Sequence, residues 1–347
     1  MHAFNQTIRI NGRDAIGPNL RPYIIAEMAC AHDGSLAKAK AITEAAAQAG
    51  ADAVQLQFLS ARDLVVPGHS VADVLNKIEF TAEQWREVFD YGRSLDIDVW
   101  ACTYDVPSVK LAIELGVDGI KLNSSDLSNP EVLRGVAASG IPFTLGTGAS
   151  TMEEIARALR ICGEENARDI VLMYGVQNFP TLISNLNIAK LGLLSDVFGM
   201  PVGYADHTDA DLSFAGVVDL LAVGQGACVL EKHICMDRAT TEIDFQAALE
   251  PQEYKQYVET VKTGWEAFGS REIREFTASD INYRKFQKKS VVAARNLTAG
   301  TTIDRNSVLF IRAVEEGIAP AQFHLVDGKS LKQDVQQFEV ILPGHTA

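Results

Sequence analysis

Two histidines each close a strand-like run in the middle of this chain. Pro201-Val202-Gly203-Tyr204 leads into Ala205-Asp206-His207-Thr208, and Ala227-Cys228-Val229-Leu230 leads into Glu231-Lys232-His233-Ile234. The segment between them, 211–224, has the pattern of a helix. Strand, helix and strand in that order make a right-handed parallel unit, so both imidazoles stand at the same end of adjacent strands. Two imidazoles so placed can share one divalent metal and leave coordination positions open for substrate. Either histidine alone reads better as a hydrogen-bonded residue in a polar strand mouth. The matched pair is what points to a metal.

Those two strands end a longer alternation. Segments 23–29, 53–58, 98–104, 119–125, 142–147 and 169–175 read as strands, with helical patterns at 36–50, from Thr81 onward, and at 106–116, 129–140, 151–163, 185–198 and 251–268. Eight strand–helix pairs without interruption predict an α/β fold whose parallel sheet closes into a (β/α)8 TIM barrel. A doubly wound open sheet is the runner-up. It would need a glycine-rich turn after its first strand, and Cys30-Ala31-His32-Asp33-Gly34-Ser35 is not one. Residues 60–80 form a longer excursion that could lie over a site. The lead-in before residue 23 has room for a hairpin around Asn11-Gly12. From about 270 the pattern changes. Residues 284–289 are basic and read as a solvated linker, and 290–294, 301–303 and 308–311 read as short β segments separated by turns. The expected domains are a barrel at 1–275, a linker at 276–289 and a small β-rich domain at 290–347.

Composition narrows the partners. The chain has 347 residues, of which 47% are hydrophobic and 22% charged, as in ordinary soluble proteins. Its formal charge of −14 argues against nucleic acid and anionic membrane as partners, though not against a small anionic substrate. No apolar run approaches a membrane span, and the first residues lack the pattern of a signal peptide. The cysteine count is 5, with no CxxC pair, which suits reduced thiols and a cytoplasmic location.

In such barrels the chemistry sits at the C-terminal ends of the strands. Those ends carry Glu27, Gln55, Gln57, Thr103, Lys121 with Ser124 and Asp126, Gly146-Thr147-Gly148, Gln177, Asp206-His207 and Glu231-His233. So many polar groups need partners or a function. Lys121 could form a Schiff base, hold a phosphate or carboxylate, or reach out to solvent; Ser124, Ser125 and Thr103 nearby favour the anion. Gly146-Thr147-Gly148 offers close backbone approach to an anion, or is an ordinary tight turn. Glu27 is either paired with a cation or acts on substrate. Asp244 could bond a polyol or cap its loop.

These residues carry a resemblance. Ile25-Ala26-Glu27, His32-Asp33-Gly34-Ser35, Lys121 with Ser124, Thr147-Gly148, Phe179-Pro180-Thr181, Asp206-His207-Thr208 and Leu230-Glu231-Lys232-His233 together resemble the sialic acid (nonulosonate) synthase family over nearly the whole chain. The tail from Ser290 is similar to that family's antifreeze-like SAF domain. The resemblance implies condensation of phosphoenolpyruvate with an N-acylated aldose, N-acetylmannosamine or a 2,4-diacetamido-trideoxyhexose, with release of phosphate. It implies a divalent metal on His207 and His233, usually Mn2+, with Mg2+ or Co2+ as alternatives. Glu27, Asp244 and Glu231 become the expected catalytic carboxylates, with Glu27 handling the water. Gln55, Gln57, Thr103, Lys121, Ser124, Asp126, Gly146, Gln177, Phe179 and Ala205 become substrate-binding positions. Arg312 would reach the sugar site of a second subunit, because the family forms dimers in which each SAF domain covers the other barrel. The pattern departs from the family at Gln55, which replaces a Lys, and at Gly146 and Ala205, which replace Ser. Two other readings stay open: a diverged metal-dependent carbon–carbon bond-forming enzyme or lyase with another donor, and a catalytically silent sugar-binding protein. Retained His207, His233 and Glu27 count against the silent protein.

Overall fold

The hairpin around Asn11-Gly12 exists: β1 (Ile8–Ile10) and β2 (Arg13–Ile16) pair antiparallel. The computed structural model describes residues 4–243, 245–270 and 272–347, so Asp244 lies outside the described residues. The chain divides into two compact units, Met1–Ser270 and Arg271–Ala347.

In the first unit eight parallel strands close a barrel. In chain order they are β3 (Tyr23–Glu27), β4 (Ala53–Phe58), β5 (Asp98–Thr103), β6 (Gly119–Leu122), β7 (Phe143–Gly146), β8 (Ile170–Tyr174), β9 (Val202–Asp206) and β10 (Ala227–His233). Each pairs with the next, and β10 closes on β3. The histidine strands are therefore the seventh and eighth barrel strands. Because side chains alternate across a strand, every second residue faces the barrel axis. Tyr23, Ile25, Ala53, Trp100, Val171, Met173, Ala205 and Val229 form an interior cluster with Ile8, Ile10 and Ile16 of the hairpin. Their neighbours Ile24, Val54, Val99, Ile120, Leu145, Leu172, Tyr204 and Leu230 pack outward in the main hydrophobic cluster.

The hairpin thus plugs the end of the barrel opposite the histidines, and polar bonds fix it there. Asn11 Nδ2 donates to Asp98 and Asp118, each at 2.9 Å, and Arg13 pairs with Asp98 at 2.6 Å. The Tyr23 hydroxyl donates to Asp98 at 2.7 Å and accepts from Trp100 Nε1 at 3.2 Å. A Cβ at Gly119 would stand 2.2 Å from the Trp100 ring, so glycine is what lets this large side chain fill the interior.

Local signals set most helix starts. Thr81 with Gln84, Asp105 with Ser108, and Thr151 with Glu154 form capping boxes, and Asn129 caps the helix that Pro130 begins. Two expected helices are shorter than their patterns. The helix expected at 211–224 is Val218–Gly224, and the one at 185–198 is Lys190–Phe198, preceded by a single 3-10 turn at Ile183–Asn185. In the first case the chain makes turns through 209–217, where the Ala215 carbonyl is drawn to the Lys232 ammonium at 2.9 Å. The 60–80 excursion carries two short helices, Ala61–Leu64 and Ala72–Ile78. No helix among the described residues is long and apolar enough to cross a membrane.

His32 lies just beyond β3, buried against Phe80 and Trp85 at ring distances of 4.5 and 5.6 Å. Burial pushes its imidazole down to about 4, with Asp33 opposing and Lys38 adding. An unfolded chain binds that proton near pH 6.5. The stability contributed by neutral His32 is therefore complete above that pH and is lost as pH falls from 6.5 toward 4. The gap corresponds to about 3 kcal/mol at most. A His32→Gln variant is expected to show a flatter fall in unfolding free energy over that window than the parent. Parallel slopes in urea titrations would exclude the assignment.

In the second unit the helix Ala278–Gln287 occupies the stretch expected to be a linker, started by a Thr277–Asp280 capping box. β11 (Lys289–Ala293) and β12 (Val308–Arg312) pair antiparallel. The segment at 301–303 contributes only one bridge, Thr302 to Ser330. Val291, Ala293, Leu297, Ile303, Val308, Val326, Leu331, Val335 and Ile341 make this unit's own core.

Candidate active site

Inward-facing residues at the open end of the barrel build the site in two tiers. The deeper tier is ionic. Glu27 is fully buried, and its Oε1 accepts from Ala29 N at 2.7 Å. Lys121 Nζ donates to Glu231 Oε1 at 2.5 Å and stands 3.4 Å from Glu27 Oε2. Gln55 Nε2 donates to Glu27 and, at 3.2 Å, to Glu231, so it ties the two carboxylates together. Gln55 Oε1 is buried with no hydrogen-bond partner among the described residues. Gln57 Nε2 reaches Glu27 Oε1 at 3.4 Å. Burial raises the Glu27 carboxyl to about 7, with the Lys121 ammonium pulling it down and Glu231 pushing it up. Burial would lower Lys121, but Glu231 and Glu27 outweigh it and hold the ammonium above its ordinary value.

The upper tier is the histidine pair. β10 sets His233 in register with Glu27 of β3 across the barrel closure. His207 and His233 lie with ring centroids 5.2 Å apart, and one ligand atom each from His207, Glu231 and His233 falls within 4.8 Å of the others. The His207 Nδ1 sits 2.8 Å from the Val176 carbonyl, which fixes the ring and leaves Nε2 as the free donor. Burial and the nearby Lys121 charge lower His207. Burial, His207, Lys121 and Lys232 push His233 well below the ordinary range. Both imidazoles are therefore neutral near pH 7, the form that ligates metal. Two imidazole nitrogens and one carboxylate oxygen fit a divalent transition ion, so the residues present suit the expected group.

A cleft of about 270 Å³ opens above these tiers. Lys121, Asn123, Ser124, Ser125, Gly146, Gln57 and Gln177 give it a polar side, and His207, His233, Phe179 and Ala205 line the histidine side. The Phe179 ring packs on His207 at 4.2 Å. Cys30, Leu59, Leu64, Leu75 and Tyr104 form an apolar wall, so the 60–80 excursion does contribute to the site. A Cβ at Gly146 would lie 2.6 Å from Ser124 N, so the turn at 124 closes on a position that only glycine can hold.

Not every expected residue gathers here. Thr103 does not line the cleft: its register partner is Phe58, which packs outward, and its buried hydroxyl has no partner among the described residues. Asp126 accepts from Ser125 and Asn129 and closes its own turn rather than reaching the cleft. Gln55 lies beneath the cleft, not on its lining. Arg312, expected at the site of a second subunit rather than of its own barrel, is exposed at the end of β12. Asn123, Tyr104 and the apolar wall went unnoticed in the sequence. Asn123 shared the parity of Lys121 and was readable from alternation; the wall residues carry no chemical signal.

A sequence model of the NeuB family matches residues 42–273, from the helix before β4 to beyond the last barrel helix. Among curated proteins the chain is 29% identical to an N,N'-diacetyllegionaminic acid synthase of Legionella pneumophila, covering 97% of this chain and 98% of the relative. It is 26% identical to an N-acetylneuraminate-9-phosphate synthase of Drosophila melanogaster, over 92% and 94% of the two chains. Among solved structures it resembles an N-acetylneuraminic acid synthetase from Leptospira borgpetersenii crystallised with citrate, at 27% identity and a TM-score of 0.75, covering 82% of this chain and 98% of that one. The match embraces all the strands that bear the histidines and Lys121, and the chain belongs to the NeuB family as an enzyme of its synthase type.

Proposed function

We propose that the enzyme condenses phosphoenolpyruvate with an N-acylated amino sugar and releases phosphate, forming a nonulosonate. The carrying observation is the histidine pair standing beside the Lys121–Glu231–Glu27 cluster, with Glu231 within reach of both. On this reading His207 and His233, with Glu231 beside them, hold a divalent ion, taken to be Mn2+. When bound, that ion supplies Lewis acidity to a carbonyl oxygen. Lys121, with Ser124 and Asn123 in the same wall of the cleft, holds the anionic donor. The methylene carbon of phosphoenolpyruvate forms the new bond to the aldehyde carbon. Water adds to the carbon bearing the phosphate, and phosphate leaves from it. Glu27, with its carboxyl raised to about 7, can take a proton from that water near neutral pH. Phe179, Gln177 and the apolar wall contact the sugar and its acyl group.

The same reading makes the tail an SAF domain and the enzyme a homodimer in which Arg312 reaches the partner's cleft, which sedimentation of the full chain addresses. The test of the activity is phosphate release from phosphoenolpyruvate with Mn2+ and a panel of N-acyl aldoses. Release with at least one sugar, and none without sugar, is expected. No release with any sugar on metal-loaded protein rejects the reading in favour of a diverged donor.

A further inference from the structure

Glu231 serves two neighbours at once. One of its oxygens lies with the ligand atoms of His207 and His233, all within 4.8 Å. Yet Oε1 is engaged by Lys121 at 2.5 Å and Oε2 by Gln55 at 3.2 Å. Lys121 is the one Lys or Arg among the described residues lining the cleft, and its alternative counter-ion, Glu27, is farther away at 3.4 Å. One carboxylate is thus counter-ion to the cation of the cleft and, among the described residues, the carboxylate grouped with the two histidines.

We propose that Glu231 couples the metal site to the anion site: a divalent cation on His207 and His233 draws on the Glu231 carboxylate, loosens its pair with Lys121, and turns the Lys121 ammonium toward a phosphate or carboxylate in the cleft. The charge count supports this. Without metal, the single ammonium is neutralised by the carboxylates beside it. A divalent ion sharing Glu231 leaves an excess of positive charge facing the cleft, in a buried setting where screening by water is weak. Such coupling is reciprocal, so the anion tightens the metal by the factor by which the metal tightens the anion. The inference rests on the metal and donor assignments of the proposed function.

Calorimetry on the full chain tests it. Phosphoenolpyruvate is expected to bind Mn2+-loaded protein about tenfold more tightly than chelator-stripped protein, a coupling of ordinary size. In Glu231→Gln that ratio is expected to fall to about one. A Lys121→Met variant, titrated with Mn2+ alone, is expected to bind the ion more tightly than the parent, because its competitor for Glu231 is gone. This arm needs no donor and stands if Glu231→Gln fails to bind metal. Equal phosphoenolpyruvate affinities with and without Mn2+ overturn the coupling while leaving the donor assignment in place. Coupling that persists in Glu231→Gln, or unchanged or weaker Mn2+ binding in Lys121→Met, removes Glu231 as its carrier. No phosphoenolpyruvate binding in either state overturns both the coupling and the donor.

Discussion

A His233→Gln variant is expected to fold as the parent does, to lose bound Mn2+, and to release phosphate about a thousandfold more slowly. His233 suits this test better than His207. Among the described residues its ring makes no backbone hydrogen bond like the one between His207 Nδ1 and the Val176 carbonyl, so a shorter amide strands no buried acceptor among them. Burial and three neighbouring cations or imidazoles hold His233 well below its ordinary range. The parent side chain is therefore neutral, and glutamine replaces it without changing the charge beside Glu27 and Lys121. A loss of activity with unchanged urea denaturation then belongs to metal chemistry. Wild-type activity together with a full complement of bound metal would remove His233 from the metal site. Loss of activity with metal retained would place it on substrate instead.

Much of this arrangement was legible because barrel geometry follows from simple periodicities. The position of His207 and His233 at matched strand ends needed only the strand–helix–strand order and the handedness of parallel connections. Their closeness to Glu27 needed only the count of eight strands, since the eighth must close on the first. What failed was parity and partnership. The strand-end rule groups Thr103 with Lys121 as an anion ligand, but Thr103 continues the outward row of Val99 and Ala101. The resemblance makes Asp126 a binding group, whereas Ser125 and Asn129 beside it satisfy its carboxylate locally. Residues 211–224 carried a helical pattern, yet the chain there turns to bring a carbonyl to a buried lysine that a local pattern does not reveal. The resemblance places Gln55 on the donor pocket, whereas it lies beneath the cleft and bridges two carboxylates.

The same alternation gives the histidine strands a second, outward row of charge. Asp206 precedes His207 and Lys232 precedes His233, and both point away from the cleft. Lys232 is fully buried, bonded to Asp206 and to the Ala215 carbonyl, and 3.7 Å from Asp219 on the covering helix. Burial would raise the Asp206 carboxyl, but the Lys232 ammonium and the hydroxyls of Thr208 and Tyr204 outweigh it and hold it below the usual range. Asp219, farther from the ammonium, is raised to about 7 by burial, while accepting from the Tyr257 hydroxyl at 3.1 Å. One buried cation therefore locks both histidine strands to the helical layer.

A Lys232→Met variant is expected to lose about 3–5 kcal/mol of stability, since removing one partner leaves buried carboxylate uncompensated. Methionine conserves much of the volume, so little of that cost comes from packing. The double variant Lys232→Met/Asp206→Asn is expected to recover a large part of it, because an amide needs no counter-ion. Urea denaturation of the two variants and the parent, followed by Mn2+ titration of those that fold, separates the cases. If the single variant unfolds within about 0.5 kcal/mol of the parent, the cluster does not hold the strands. If the double variant recovers stability but binds Mn2+ more weakly than the parent, the outward charges do more than keep the fold. They set the spacing of the two imidazoles on the inner face, because each ligand's strand is pinned one residue before it.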